Sequence, residues 1–170
     1  MGELDNLKKY LSEAHPVVNK LLRANEDASK YTFDSMFEDS EVPQPLYRLI
    51  DNEHVFIQDR VFEDKGYLSC TTDIDSFIAH VSGDEIACLQ FNIQKVLLTI
   101  NVRDKFPNYN DESEIILPRG LKFTIELKHV YSTHEEIQEF LERVESMSSV
   151  KEICELYRIT KIYHYELSLL

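Results

Sequence analysis

The sequence predicts an α+β domain in which helices and strands are largely segregated along the chain. Apolar residues recur at helical spacing near the N-terminus, and short β-rich runs follow from Leu46 onward. One helix interrupts these strands, and a second helical region precedes a closing strand. This order indicates antiparallel or mixed sheets rather than a doubly wound parallel sheet. The 170 residues, 43% of them hydrophobic, are expected to form a single domain over residues 1–170.

Two amphipathic helices are predicted over about residues 3–24. Their apolar positions fall into two groups at helical spacing, Leu4, Leu7, Leu11 and Ala14, then Val17, Val18, Leu21 and Leu22. The pair His15-Pro16 separates the groups, and proline is favourable in the first turn of a helix. The acidic and aromatic stretch 25–44 predicts a short helix and a loop, without a domain boundary.

Seven β-rich runs predict a β core over about residues 46–130. They are Leu46–Ile50, Val55–Ile57, Tyr67–Thr71, Ile86–Ile93, Val96–Val102, Glu114–Leu117 and Leu121–Leu127. The last run places apolar side chains on one face from Leu121 to Leu127, which is typical of a half-buried antiparallel strand. Thr72 and Asp75 have capping-box spacing and predict a short helix that ends near Gly83.

The C-terminal part predicts a helical insertion over about residues 133–158 and a closing strand over about 159–169. Thr133 and Glu136 have capping-box spacing before an apolar helical face, and Ser149 with Glu152 repeats that spacing. From Ile159 onward the pattern returns to that of a strand. We therefore expect the insertion to precede the last strand of the sheet.

The composition limits the possible partners and compartments. A net charge of -13 argues against binding nucleic acid through phosphates, since that mode needs clustered Lys and Arg. A basic protein partner fits the charge better. Without a leader pattern or a bilayer-length apolar run, no membrane association is expected, and the protein is expected to be cytoplasmic, with delivery into another cell possible. Three cysteines without a CxxC pair indicate no metal site.

Two carboxylates at the start of a buried strand are the most informative local feature. Glu112 and Glu114 are two residues apart, so their side chains point to the same side of an extended segment. The apolar run Ile115–Leu117 follows directly. Carboxylates held that close push each other's pKa apart, which suits glycosyl or acid–base chemistry. An acidic loop that caps a strand is the alternative interpretation.

Three polar segments, taken in order, resemble the arginine–serine–glutamate class of ADP-ribosyltransferases, which includes the clostridial exoenzyme-type toxins. The segments are Leu46-Tyr47-Arg48, Gly66–Thr72 and Asn110–Glu114. The N-terminal helices, which end in Asn19-Lys20-Leu21-Leu22-Arg23, also look like that family. The resemblance implies two roughly perpendicular antiparallel or mixed β-sheets, with NAD+ as the co-substrate in the cleft between them.

The resemblance also implies a dinucleotide site built from the first two segments. Arg48, preceded by Tyr47, would brace the dinucleotide, because a guanidinium can bind phosphate in a bidentate manner. Ser69 would orient the catalytic glutamate and shape the nicotinamide pocket, and Thr71 would keep a hydroxyl on the same strand face. Phe77 would stack on nicotinamide, although packing in the core would explain it equally well.

The third segment would supply the catalytic and acceptor-selecting carboxylates. Glu114 matches the family's invariant glutamate, which would hold the 2′-hydroxyl of the nicotinamide ribose and stabilise positive charge as the glycosidic bond breaks. Glu112 matches the acceptor selector, and glutamate there is typical of members that modify arginine. Tyr109 and Phe106, exposed on the preceding polar loop, would contact the target protein. Cys70 departs from the family's Ser-Thr-Ser pattern and is expected in the core.

The sequence therefore predicts a mono-ADP-ribosyltransferase that transfers ADP-ribose from NAD+ to an arginine of a target protein. Glu114, Glu112 and Ser69 would be its catalytic residues. Two alternatives stay open, an NAD+ glycohydrolase that uses water as the acceptor and a catalytically inactive relative that binds a basic partner. A delivered toxin, a phage protein and an endogenous regulator are all compatible with the sequence.

Overall fold

The computed structural model describes residues 2–42, 45–55, 57–72, 83–93, 96–107, 114–144 and 159–170. Its strands are β1 (Glu38–Glu41), β2 (Leu46–Asp51), β3 (Ile57–Gln58), β4 (Val61–Glu63), β5 (Leu68–Thr71), β6 (Glu85–Asn92), β7 (Val96–Asn101), β8 (Glu114–Leu117), β9 (Lys122–Tyr131) and β10 (Lys161–Leu169). Its α-helices are α1 (Glu3–Lys9), α2 (His15–Arg23), α3 (Val102–Lys105) and α4 (His134–Val144). Short 3-10 turns lie at Asp34–Met36 and Asn52–His54. The α+β class is confirmed.

The ten strands pair in the order β1-β7-β8-β5-β2-β6-β10-β9-β4-β3. The pairing is antiparallel except between β6 and β10, which run parallel. In the described part of the chain, β5 and β2 are joined through a single residue pair, Thr71 opposite Tyr47. This narrow junction divides the sheet into the β5–β8 half (β1, β7, β8, β5) and the β6–β10 half (β2, β6, β10, β9, β4, β3).

Both halves contribute one face to a shared apolar core, as expected for two packed sheets. The β5–β8 half supplies Leu68, Cys70, Ile115 and Leu117, and the β6–β10 half supplies Leu46, Leu89, Phe91, Phe123 and Leu167. Strand alternation then turns every second residue outward, and helices cover these outer faces. Helix α4 packs Ile137 and Phe140 on the β6–β10 half, whereas α1 and α2 cover the β5–β8 half.

The two N-terminal helices are confirmed, but they form one helical run rather than two separate segments. A π-helical turn, Tyr10–Ala14, joins α1 directly to α2. Pro16 lies in the first turn of α2 and has no N–H to donate to the preceding turn. A widened turn just before a proline accommodates that missing hydrogen bond.

Strand β9 departs from the predicted alternation. Phe123 and Ile125 face the shared core as expected, but a β-bulge interrupts the pairing with β10 at Lys128. Beyond the bulge the alternation shifts by one residue, so Tyr131 packs against α4 on the opposite face. Leu127, predicted on the apolar face, is 47% exposed. The prediction for this residue was wrong because a bulge leaves no signal in the apolar periodicity.

The capping box before α4 is confirmed. The Glu136 carboxylate accepts hydrogen bonds from the backbone N–H groups of Ser132 and Thr133, and the N–H of Glu136 donates to the Thr133 hydroxyl. Strands β1 and β4 and helix α3 were not predicted, and the predicted run Val55–Ile57 overlaps β3 at Ile57. Most of the predicted helix over 72–83, and residues 145–158 of the predicted helical insertion, lie outside the described residues. No helix in the described ranges is long and apolar enough to cross a membrane.

Candidate active site

The serine segment lies on β5, where alternation separates core residues from site residues. Leu68 and Cys70 point into the shared core, and Cys70 is fully buried, as predicted. Burial raises the pKa of the Cys70 thiol to about 12, so it stays protonated at neutral pH. Ser69 and Thr71 therefore face the other side of the strand, towards the N-terminal helices.

A row of three residues crosses the strands at this point. Glu114, the first residue of β8, lies opposite Thr71 of β5, and Thr71 lies opposite Tyr47 of β2. Directly paired residues share a face of the sheet, so the three side chains point to the same side. Ser69 lies opposite Ile116 and is a diagonal neighbour of Glu114 on that face. The structure thus brings together one residue from each motif, Tyr47, Thr71 and Glu114, with Ser69 beside them.

Arg48 lies where β2 and β5 separate beyond their single pair. Its Nη1 atom donates a hydrogen bond of 2.8 Å to the backbone carbonyl of Ser69. Strand β2 is flanked by β5 and β6, so Arg48 does not lie on an edge strand. Its side chain therefore reaches across the junction and holds the serine segment from the side.

A cleft of about 450 Å³ opens beside Arg48. Its lining includes three cationic side chains, Arg23 from the end of α2, Arg48 and Lys65, with Ile50 and Phe62 as an apolar wall and Glu63 and Asp64 beside them. Because Glu63 and Asp64 offset two of the three cations, the lining has an excess of one positive charge, which favours an anionic ligand. Arg23 and Lys65 were not predicted as site residues, because nothing local in the sequence indicates that α2 ends beside the segment after β4.

Asp64 fixes the position of Arg23. The guanidinium donates two hydrogen bonds to the carboxylate, of 2.9 Å from Nε and 2.7 Å from Nη2. Burial pushes the pKa of Asp64 upwards, but the hydrogen bonds and charge of Arg23, the Gly66 N–H and the charge of Arg48 outweigh it, so that the pKa lies below its usual value. The carboxylate thus stays ionised and holds one arginine of the cleft in a fixed geometry.

Two further polar residues lie beneath the serine segment and were not predicted to belong to the site. The hydroxyl of Tyr10 accepts a 3.0 Å hydrogen bond from the Asn19 amide, whose oxygen accepts a 2.9 Å hydrogen bond from the Tyr67 N–H. Burial is the main reason that the pKa of Tyr10 is raised, while the nearby charges of Arg48 and Glu114 act in opposite directions. Tyr10 and Asn19 each have a polar group on an otherwise apolar, buried helix face. This pattern could have indicated a role in the site.

Phe106, predicted to be exposed on the loop, has a different environment. It follows α3 and packs against the core under the N-terminal helices, with the Lys8 ammonium 6.0 Å from its ring centroid. The predicted exposure was wrong because α3 turns the start of this loop back onto α1. A role for Phe106 in target recognition stays a prediction.

Several predicted site residues lie outside the described residues. They are Phe77, Tyr109 and Glu112. Glu112 precedes Glu114 by two residues, and β8 begins at Glu114. Within the described ranges, no group of three His, Cys, Asp or Glu side chains is arranged to hold a metal ion.

Comparison with known proteins gives a consistent family assignment. The model of the ADP-ribosyltransferase exoenzyme family matches residues 2–148. No match was found among curated protein sequences. Several solved structures share the fold, although their sequence identities are low.

Three of these structures are bacterial proteins. The ATR domain of Salmonella SpvB is 14% identical, with 97% of this chain and 98% of that chain covered and a TM-score of 0.62. The catalytic domain of VsdC from Aeromonas hydrophila is 12% identical, with both chains fully covered (100% each) and a TM-score of 0.60. Exoenzyme S from Pseudomonas aeruginosa, solved with human 14-3-3 protein beta and carba-NAD, is 14% identical, with 96% and 72% covered and a TM-score of 0.58.

Proposed function

The chain belongs to the ADP-ribosyltransferase exoenzyme family, and on that premise we propose that it transfers ADP-ribose from NAD+ to an arginine side chain of a target protein. The C–N bond between nicotinamide and ribose breaks, and nicotinamide leaves with the bonding electrons. A guanidinium nitrogen of the target then bonds to C1′ of the ribose and loses a proton. The residues around β5 and β8 provide a group for each part of this reaction.

The cross-strand row that ends in Glu114 is the observation that carries the proposal. As the glycosidic bond breaks, positive charge develops on the ribose, and a carboxylate fixed nearby stabilises that charge. Glu114 is half-buried at the start of β8, beside Thr71 and diagonal to Ser69. Partial exclusion from water strengthens its interaction with a developing cation. We assign Glu114 as the group that binds the 2′-hydroxyl and offsets this charge.

The cationic cleft supports NAD+ as the co-substrate. Arg48 and Arg23 both line it, and guanidinium groups bind phosphate oxygens with two parallel hydrogen bonds. A volume of about 450 Å³ lies within the usual range for cofactor sites. The structure of the related Exoenzyme S contains carba-NAD. We propose that Arg23 and Arg48 bind the pyrophosphate, while Tyr47, Thr71 and Phe77 line the nicotinamide end.

The choice of arginine as the acceptor rests on Glu112. A guanidinium is always protonated, so it needs an anionic partner that orients it and takes its proton as it attacks. Glu112 would supply that carboxylate two residues before Glu114, and Tyr109 and Phe106 would contact the target protein. Exoenzyme S is solved in a complex with a protein, human 14-3-3 protein beta, which supports a protein partner. The reaction would take place in the cytoplasm, either of the producing cell or of a recipient cell.

Transfer of labelled ADP-ribose to agmatine and to a cell lysate tests the proposal. The wild type is compared with Glu114→Gln, Glu112→Gln and the matched control Glu126→Gln, an exposed carboxylate on β9. Glu114→Gln is expected to lower both transfer and NAD+ hydrolysis by about 10²- to 10³-fold, since it removes the charge that stabilises the transition state. Glu112→Gln should abolish transfer to agmatine and leave NAD+ hydrolysis, and the control should match the wild type.

Other outcomes would identify the alternatives. NAD+ consumption by the wild type without label on agmatine or protein would indicate a glycohydrolase. Thermal stabilisation by NAD+ without consumption would indicate an inactive binding module. A wild type that neither consumes NAD+ nor is stabilised by it would overturn the proposal.

A further inference from the structure

We propose that Asp64 is a positioning residue for NAD+ binding, because its carboxylate fixes the Arg23 guanidinium and leaves one edge of that group to a phosphate of the co-substrate. The inference rests on the proposed function, since it takes NAD+ as the ligand of the cleft. It gives a role to an anionic side chain that lines a site for an anionic ligand. By its charge alone, this side chain would weaken binding.

The Arg23 guanidinium has two edges that can each bind an oxyanion through two N–H groups, and Asp64 occupies one of them. Nε donates a 2.9 Å hydrogen bond to Oδ1, and Nη2 donates a 2.7 Å hydrogen bond to Oδ2. In the described part of the chain, the other edge, formed by Nη1 and Nη2, binds no protein acceptor. Arg23 is 47% exposed and lines the cleft, so this second edge is the one that a ligand can bind.

Asp64 is itself held by backbone contacts. Its Oδ1 also accepts a 2.8 Å hydrogen bond from the Gly66 N–H, and its backbone carbonyl accepts a 3.1 Å hydrogen bond from the Gly120 N–H, in the turn after β8. Its side chain is 10% exposed, and its lowered pKa keeps the carboxylate ionised at neutral pH. The carboxylate is therefore a fixed acceptor to which the Arg23 guanidinium aligns.

Other contacts dock the end of α2, so Asp64 acts mainly on the orientation of the guanidinium. Within α2, the Asn19 Oδ1 atom accepts a 2.9 Å hydrogen bond from the Tyr67 N–H. Just beyond the helix, the Asn25 Oδ1 atom accepts a 3.2 Å hydrogen bond from the Lys65 ammonium. Both contacts stay in place when the Asp64 carboxylate is replaced by an amide.

Two variants that each remove one negative charge from the cleft test the inference, because their effects on KM should have opposite signs. The control is Glu63→Gln, since Glu63 also lines the cleft but is exposed and pairs with no arginine in the described ranges. Removal of a negative charge near an anionic ligand is expected to lower KM for NAD+ about twofold. Asp64→Asn is expected to raise KM about tenfold, with kcat within about twofold. Its NH2 group would face the Arg23 N–H groups, so the guanidinium would lose its alignment.

A double-mutant cycle on KM tests whether Asp64 acts through Arg23. In the Arg23→Gln background, Asp64→Asn should change KM for NAD+ by no more than about twofold. In an active wild type, a KM that Asp64→Asn lowers or leaves unchanged, or losses that multiply fully in the double variant, would overturn the positioning role and leave the proposed function intact. A wild type that neither consumes NAD+ nor binds it in calorimetry would overturn both.

If Asp64→Asn is unfolded at the assay temperature, Arg23→Lys provides the second test, because Asp64 is then unchanged. A lysine keeps the positive charge and can pair with Asp64, but it has no second edge for a phosphate. KM for NAD+ should rise about as much as in Arg23→Gln. A wild-type KM in Arg23→Lys would show that the charge alone is sufficient, and the inference would be wrong.

Discussion

The β6–β10 half and the β5–β8 half of the sheet are held together in different ways. Strand β10 pairs with β6 over eight residues and with β9 over another eight, whereas β5 pairs with β8 over four. The described residues that are buried and polar, Asn19, Thr71 and Thr99, all lie in the β5–β8 half or against it. Long ladders therefore stabilise one half, and side-chain hydrogen bonds complete the other.

The β6–β10 half therefore mainly stabilises the fold, and the β5–β8 half carries the residues that we assign to the chemical step. Four-residue strands give few ladder hydrogen bonds, so the position of the serine segment depends on Arg48, which binds the Ser69 carbonyl, and on Asn19 of α2, which binds the Tyr67 N–H. The same short strands leave Glu114 and Thr71 near strand ends, where a substrate can reach them. The long ladders of the β6–β10 half maintain the fold and contribute no reacting groups. The strands that carry the reacting groups can therefore be short.

Removal of a large side chain from the β6–β10 half should have the largest effect on stability. Phe123 is fully buried in the shared core, with the Phe91 ring centroid 5.0 Å away. Phe123→Ala is expected to lower the free energy of unfolding by about 4 kcal/mol in urea titrations, through lost burial and a cavity. Leu127→Ala, on the exposed side of the same strand, should stay within about 0.5 kcal/mol. A fall in kcat for folded Phe123→Ala would contradict the view that the β6–β10 half contributes to stability and not to the chemical step.

Substitution of the cleft arginine should act on NAD+ binding. Arg23→Gln is expected to raise KM for NAD+ about tenfold, because its phosphate contact is lost, while kcat changes little. The melting temperature should also fall, because the Asp64 carboxylate, 10% exposed, loses its partner. Arg119→Gln is the matched control, since Arg119 forms a bidentate pair with Asp34 at the same shortest distance of 2.7 Å and lines no part of the described cleft. Equal KM values for the two variants would show that the pairing with Asp64, rather than the cleft, defines the role of Arg23.

The smallest expected effect is a pH dependence of stability at Asp64. Its folded pKa lies below the unfolded value, so the carboxylate stabilises the fold above about pH 4, and this contribution is lost as the pH falls through the folded pKa. The difference in unfolding free energy between the wild type and Asp64→Asn should therefore shrink on acidification. Urea titrations at pH 6 and near pH 2 measure this difference. The other carboxylates titrate in both proteins, so their contribution cancels. If the difference in unfolding free energy stays constant between pH 6 and pH 2, the pKa of Asp64 is not lowered in the folded protein.

The motif-bearing strands could be predicted because their signals are local. Strands β2, β5 and β8 each lie in a β-rich run of the right length, and the Thr133–Glu136 capping box needs only four residues. Alternation along β5 also predicted that Cys70 would be buried while Ser69 faced the site. Local pattern therefore positions single strands and their faces.

The contacts that complete the site could not be predicted in this way. Asn19 bonds to Tyr67, 48 residues away, and Arg23 bonds to Asp64, 41 residues away. Helical periodicity shows that a residue is on the buried stripe but not which strand it meets. The bulge at Lys128 was missed for a related reason, since it depends on the register with β10. These features follow from tertiary packing rather than from local propensity.

The π-helical turn between α1 and α2 has a consequence for which changes of chain length the protein can accept. A π turn contains one residue more than the α-helical turn it replaces, and Tyr10 is its first residue here. Deletion of one residue within Tyr10–Ala14 would return the wide turn to a regular α-helical turn and leave the side-chain positions around the helix axis nearly unchanged. Deletion of one residue from α2 before Asn19 would instead rotate Tyr10 by about 100° relative to Asn19, so that the two side chains face different directions. A change of chain length by one residue is thus expected to be tolerated at the π turn and not in α2.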